Sequence, residues 1–104
     1  MDNGYGDIEA RLCVLAETSV QAKVDALARC YDRRRDLLRL GAPAVLEKRA
    51  DARVVRWLRK ALRRERARAL TGHWSYRAGR HIALRAALEE ETRRMLEAAS
   101  APPE

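Results

Sequence analysis

Apolar residues fall at helical spacing along most of the chain. Ile8, Leu12 and Leu15 form one stripe, and from Val20 the positions Val24, Leu27, Tyr31 and Leu38 recur at steps of three, four and seven, with Arg34 in the intervening slot. Such steps place each set on one face of a helix that turns about 100° per residue. Asp7 stands where its carboxylate caps the first helix, and Glu9 adds favourable charge near the positive helix end. Thr18 and Gln21 have capping-box spacing, so residues 7–40 read either as one helix or as two with a break near Thr18 and Ser19.

Leu40-Gly41-Ala42-Pro43 is a stop and restart, because Gly takes the left-handed conformation after a helix and Pro is tolerated near the start of the next. The following helix is predicted from Ala44 to Leu70, roughly 40 Å at 1.5 Å per residue. Around it, Ala50, Val54, Val55, Trp57, Leu58, Ala61, Leu62 and Ala69 fall in one arc. Arg53, Arg56, Arg59, Lys60, Arg63 and Arg64 fall in the opposite arc. Glu65 is the exception: it projects into the apolar arc, where an unpartnered carboxylate costs several kcal/mol, so an Arg of another helix or subunit is expected beside it.

Thr71-Gly72-His73-Trp74-Ser75 makes the next break, with Gly72 ending one helix and Ser75 placed to cap another over Tyr76 to Ala98. His81, Leu84, Leu88 and Met95 keep helical spacing there, and Glu89 with Arg93 and Glu90 with Arg94 have the favourable order for ion pairs one turn apart. The expected fold is all-α: an antiparallel hairpin or bundle of three to four helices over residues 7–99, oligomeric, with loose ends at 1–6 and 100–104. The terminal Ser100-Ala101-Pro102-Pro103-Glu104 reads either as a short docking peptide or as a tail with no role.

Charge sharpens this picture. The chain of 104 residues carries +7, and residues 53–68, with eight cations and one anion, account for all of it. Arginine outnumbers lysine nineteen to three, but genome composition alone can raise that total, so the clustering carries the argument. The cluster Asp32-Arg33-Arg34-Arg35-Asp36 is mixed in sign and reads as a solvated face. No apolar run approaches the roughly 20 residues of a membrane span, and a cytoplasmic location is expected. A basic amphipathic helix can also lie on an anionic membrane, but this one's alanine-diluted apolar arc suits helix packing better.

Candidate chemistry is sparse. His73 sits in a loop beside Trp74, and His81 lies on the apolar side of its helix, where a hydrogen-bonded packing role is the simpler reading. Ser75 needs a base and an orienting group to act as a nucleophile, whereas capping needs only its position. Cys13 and Cys30 lie inside apolar helical patterns without paired spacing and read as buried free thiols. With His73 and His81 they offer zinc-ligand types but not zinc-ligand spacing. No phosphate-cradling glycine loop or dinucleotide fingerprint occurs. No catalytic residue, cofactor or metal is therefore assigned.

The cationic arc points instead to a polyanion. Arginines on successive turns track phosphates and release condensed counterions, which gives salt-sensitive binding with little sequence preference. Arg53, Arg56, Arg59, Lys60, Arg63 and Arg64 are the residues expected to bind DNA or another polyanion, with Trp74, Tyr76, Arg77 and Arg80 as auxiliary stacking or phosphate contacts. The competing reading is a protein adaptor that pairs the same cations with an acidic protein. In size, charge and helicity the chain resembles the oligomerisation core of a viral-type small terminase subunit, which implies a homo-oligomeric ring that presents DNA to a packaging motor.

Overall fold

The last helix is the one the others are built around, and its alanines explain why. The computed structural model describes residues 4–47 and 52–100, with side chains at 11, 17–46 and 52–100. In chain order it comprises α1 (Gly4–Arg29), α2 (Arg33–Leu40), a turn of 3-10 helix (Ala44–Glu47), α3 (Ala52–Thr71) and α4 (Ala78–Ser100). α4 packs against α1, α2 and α3. Ala86 and Ala87, both buried, face different neighbours: Ala86 joins Val24 and Ala28 of α1, while Ala87 joins Leu58, Ala61 and Leu62 of α3. Adjacent residues point about 100° apart, and small side chains let two helices approach one at once.

The main core lies among α2, α3 and α4, where Leu37, Leu58 and Leu84 are fully buried alongside Val54, Leu40 and Leu46. Each such side chain contributes about 1.5–3 kcal/mol relative to exposure. α3 and α4 are antiparallel, since Glu65 near the end of α3 meets Arg77 and Arg80 at the start of α4. α2 is also antiparallel to α4, with Arg33 at Glu91 and Leu40 at Arg80. α1 instead runs parallel to α4, with Gln21 at Arg85 and Tyr31 at Arg94. The antiparallel expectation therefore holds for two of the partners of α4 and not for α1.

Several boundaries differ from the sequence reading, each for a local reason. α1 begins at Gly4, ahead of the Asp7 expected as its cap, and passes through Thr18 and Ser19 unbroken. The chain breaks at Cys30–Asp32, because the two aspartates flanking the basic triplet are better placed to start a helix. The Asp32 carboxylate accepts the Arg35 N–H at 3.0 Å, and the Asp36 carboxylate accepts the Asp32 N–H at 2.9 Å. Two orphan donors are thus satisfied reciprocally. Burial pushes the Asp36 carboxyl up, but its bonds from Arg35 and the Asp32 N–H outweigh that and hold it below its ordinary value.

The break resets the helical phase. Leu38, expected on the stripe of Val24 and Tyr31, is 68% exposed, and Leu37 and Leu40 are buried in its place. Cys30, expected inside the helix, stands at the break and is exposed. Ile8, Leu12, Cys13 and Leu15 lie outside the residues whose side chains are described.

Gly41 ends α2 as expected. Its φ is +83°, and the N–H groups of Gly41 and Ala42 return to the carbonyls of Leu38 and Leu37 at 3.1 and 2.9 Å. The helix predicted from Ala44 starts at Ala52, because Ala44–Glu47 forms a tighter turn; Ala50 lies outside the described residues. Among those described, no helix is long and apolar enough to cross a membrane.

Candidate nucleic-acid interface

α3 separates two surfaces because its sequence does. Val54, Val55, Leu58, Ala61 and Leu62 are buried, and Trp57 packs partly buried at the margin. Ala69, assigned to the same arc, is exposed, since the contact with α4 is giving way to the turn there. On the opposite side Arg53, Arg56, Arg59, Lys60, Arg63 and Arg64 are all exposed. Among the described residues, Arg56 donates only to the carbonyl of Ala52 in its own helix, at 3.4 Å. Arg59, Lys60, Arg63 and Arg64 form no ion pair or hydrogen bond with any described residue, and neither does Arg66.

Several arginines elsewhere are held by carboxylates. Arg33 Nε reaches both oxygens of the fully buried Glu91, at 2.9 and 3.3 Å. Arg94 pairs with Glu90 at 3.0 Å, lies 3.8 Å from Glu91 and stacks over the Tyr31 ring. Arg93 binds Glu90 and Glu97 on either side along α4 and not Glu89, the partner expected from spacing. The Tyr31 hydroxyl is buried without a hydrogen-bond partner among the described residues, and burial followed by the nearby Glu91 charge raises its pKa. These contacts fix the break between α1 and α2 to α4. Lys23, Arg29, Arg34 and Arg39 also form no ion pair with any described residue, so what sets α3 apart is the regular recurrence of its cations along one helix face.

Glu65 positions the cationic helix. It is fully buried, and it accepts the Arg77 N–H at 2.9 Å and an Arg68 guanidinium N–H at 3.1 Å, with Arg80 of α4 at 3.6 Å. The expected arginine from another helix is Arg80, which also donates to the Leu40 carbonyl at 2.9 Å. One carboxylate thus ties α3 to the N-terminus of α4, where an anion is favoured by the helix dipole. Sequence reasoning gave that capping role to Ser75, with α4 starting at Tyr76. The helix starts instead at Ala78, and the Ser75 N–H and hydroxyl lie 3.1 and 2.7 Å from His73 Nδ1.

The auxiliary residues divide. Arg80 is engaged with Glu65 and Leu40, so it acts in the fold. The Arg77 side chain is exposed, and Trp74 is 90% exposed beside His73, with ring centroids 5.5 Å apart. Tyr76 is half-buried, its hydroxyl 3.1 Å from His81 Nδ1. Burial, then the charges of Arg66 and Arg85, hold His81 below its ordinary value of 6.5. Arg66 was absent from the sequence-derived set, although it stands three residues after Arg63 and seven after Arg59. Arg59, Arg63 and Arg66 flank a shallow cleft whose apolar lining is Leu62 of α3 and Leu88 of α4.

Comparison with known proteins found no matching family model, curated protein or solved structure.

Proposed function

We propose that this is a non-enzymatic nucleic-acid-handling protein that holds phosphate backbone on the outer face of α3 with little sequence preference. The observation that carries the reading is the exposed set Arg56, Arg59, Lys60, Arg63 and Arg64, none ion-paired to a described residue, on a helix braced from behind by Glu65. Arg56 to Arg64 spans about 12 Å of helix axis, so cations recur every 2–3 Å or so. That slightly exceeds the charge density of one DNA strand, which carries a phosphate about every 3.4 Å along the axis. Assembly into a homo-oligomer, as in the small-terminase-like reading, would multiply such faces around a ring. Exposed Leu27, Leu38, Val45 and Leu96 are among the side chains available to bury between copies.

The test is titration of unrelated DNA sequences at several salt concentrations, beside Arg56→Glu/Arg59→Glu/Arg63→Glu. Contact with about five phosphates gives a slope of log affinity on log salt near −4 for duplex, and loss of three contacts reduces its size by about 2–3. Absence of salt-sensitive binding, or unchanged binding by the triple variant, refutes the reading. Nuclease-treated extract from which the wild type, but not the variant, recovers one acidic protein would favour the adaptor instead. Light scattering tests the assembly, for which a clean monomer is the contrary result.

A further inference from the structure

The turn after α3 leaves two large apolar side chains in water, Leu70 at 88% and Trp74 at 90% exposure. Single exposed apolar residues are ordinary, so their placement has to carry the argument. Arg59, Arg63, Arg66 and Leu70 follow one another at steps of four, three and four, which makes them one narrow stripe of α3. The three arginines flank the cleft against α4, and Leu70 continues their line toward the turn. From Arg59 to Leu70 the stripe covers roughly 16 Å.

The turn holds its aromatic rings in a defined arrangement. Gly72 adopts φ +63°, and the N–H groups of Gly72 and His73 return to the carbonyls of Ala69 and Arg68 at 3.3 and 2.8 Å. Ser75 fixes His73 through Nδ1, and the His73 ring stacks against Trp74 with 29° between their planes. Trp74 is therefore backed by an ordered ring and still presents most of its surface to solvent. Arg77 follows, exposed, its side chain forming no hydrogen bond or ion pair with any described residue.

A row of cations on α3 and an exposed aromatic plate in the turn that follows it match a polymer with both charges and free base faces. A duplex offers phosphates and groove edges, but its base faces are stacked inside. A single strand offers unpaired bases, which stack on aromatic side chains regardless of sequence. Resting on the nucleic-acid reading above, the geometry points to single-stranded nucleic acid as the preferred ligand, its backbone following Arg59, Arg63 and Arg66 and an unpaired base stacking on Trp74. DNA and RNA share this chemistry, and the 2′-hydroxyl distinguishes them.

The experiment uses the full chain and labelled oligothymidylate, oligouridylate and a mixed-sequence duplex of equal length, read by anisotropy across salt. Wild type is expected to bind one or both single strands at least about tenfold tighter than duplex. Trp74→Ala should lower single-strand affinity about 5- to 150-fold, the range for loss of one stacked base, and leave duplex affinity within about twofold. Trp74→Phe should restore much of the loss. In a Trp57→Phe background, Trp74 fluorescence should be quenched on saturation with the single strand. Salt-sensitive binding with equal affinity for single strand and duplex, or single-strand affinity indifferent to Trp74→Ala, overturns this inference and leaves the backbone-binding reading standing. Absence of salt-sensitive binding to all three oligonucleotides overturns both.

Discussion

Replacing Glu65 tests whether the cationic helix is held from behind as the structure shows. Glu65→Ala removes the acceptor of the Arg77 N–H, a cap contribution of about 1–1.5 kcal/mol. It also removes the ion pairs to Arg68 and Arg80, whose side chains are 40% and 32% exposed and can be rehydrated, so about 1 kcal/mol is assigned to both together. The one buried methylene lost, Cγ, adds about 0.8 kcal/mol. The expected loss is therefore about 3 kcal/mol, within the range for breaking one side of a buried ion pair. Glu65→Gln retains the cap and the methylenes, and its loss should be about 1–2 kcal/mol. Urea unfolding followed by helical circular dichroism at fixed protein concentration measures both. For a domain of this size the alanine variant should melt about 15–25 °C lower. A loss below about 1 kcal/mol for Glu65→Ala would refute the bracing role, and equal losses for both variants would show that the charge, not the cap, dominates.

Acid should weaken the fold partly through Glu90. The bonds from Arg93, then Arg94, hold its carboxyl below the ordinary value of 4.5 despite burial. A depressed folded-state value means that its contribution is fully present above the unfolded value and is lost as pH falls through the folded one. Glu90→Gln should therefore be less stable than wild type near neutrality and should show a shallower decline of stability below about pH 4.5. Parallel curves for the two proteins over that range would exclude the contribution. At the other buried carboxylate, Arg33→Lys should destabilise by about 2–3 kcal/mol, because an ammonium does not reproduce the guanidinium's fixed approach to both Glu91 oxygens. A change under about 0.5 kcal/mol in urea unfolding would show that charge alone suffices there.

The sequence was most legible where one helix packs on one side. α3 has a broad apolar arc, and of the residues assigned to it Val54, Val55, Leu58, Ala61 and Leu62 are buried and Trp57 partly so, while Ala69 is exposed. It was less legible in α4, which meets helices on several sides. A search for one stripe found Leu84 and missed Ala86, Ala87 and Glu91, since small and charged residues do not register as an apolar face. The break at Cys30–Asp32 was hidden for a related reason. Its aspartates were read as members of a mixed charge run, although acidic residues bounding a basic triplet also have the spacing to satisfy helix-terminal N–H groups.

The candidate interface has the same mixture. Periodicity alone put Arg53, Arg56, Arg59, Lys60, Arg63 and Arg64 on one exposed face, but it could not separate arginines spent on the fold from those left for a partner. Arg33 and Arg80 differ from Arg59 and Arg63 in what stands opposite them across tens of residues of chain, namely Glu91 and Glu65. Those two carboxylates are fully buried, so their arginine partners are constrained to remain with them or leave a charge without compensation. The arginines of the α3 stripe face no carboxylate among the described residues, and binding a polyanion would not require them to leave one. Arg29, Arg34 and Arg39 share that freedom, so it is the combination of cations that need break nothing with their regular spacing along one helix face that makes the stripe on α3 the surface proposed for a partner.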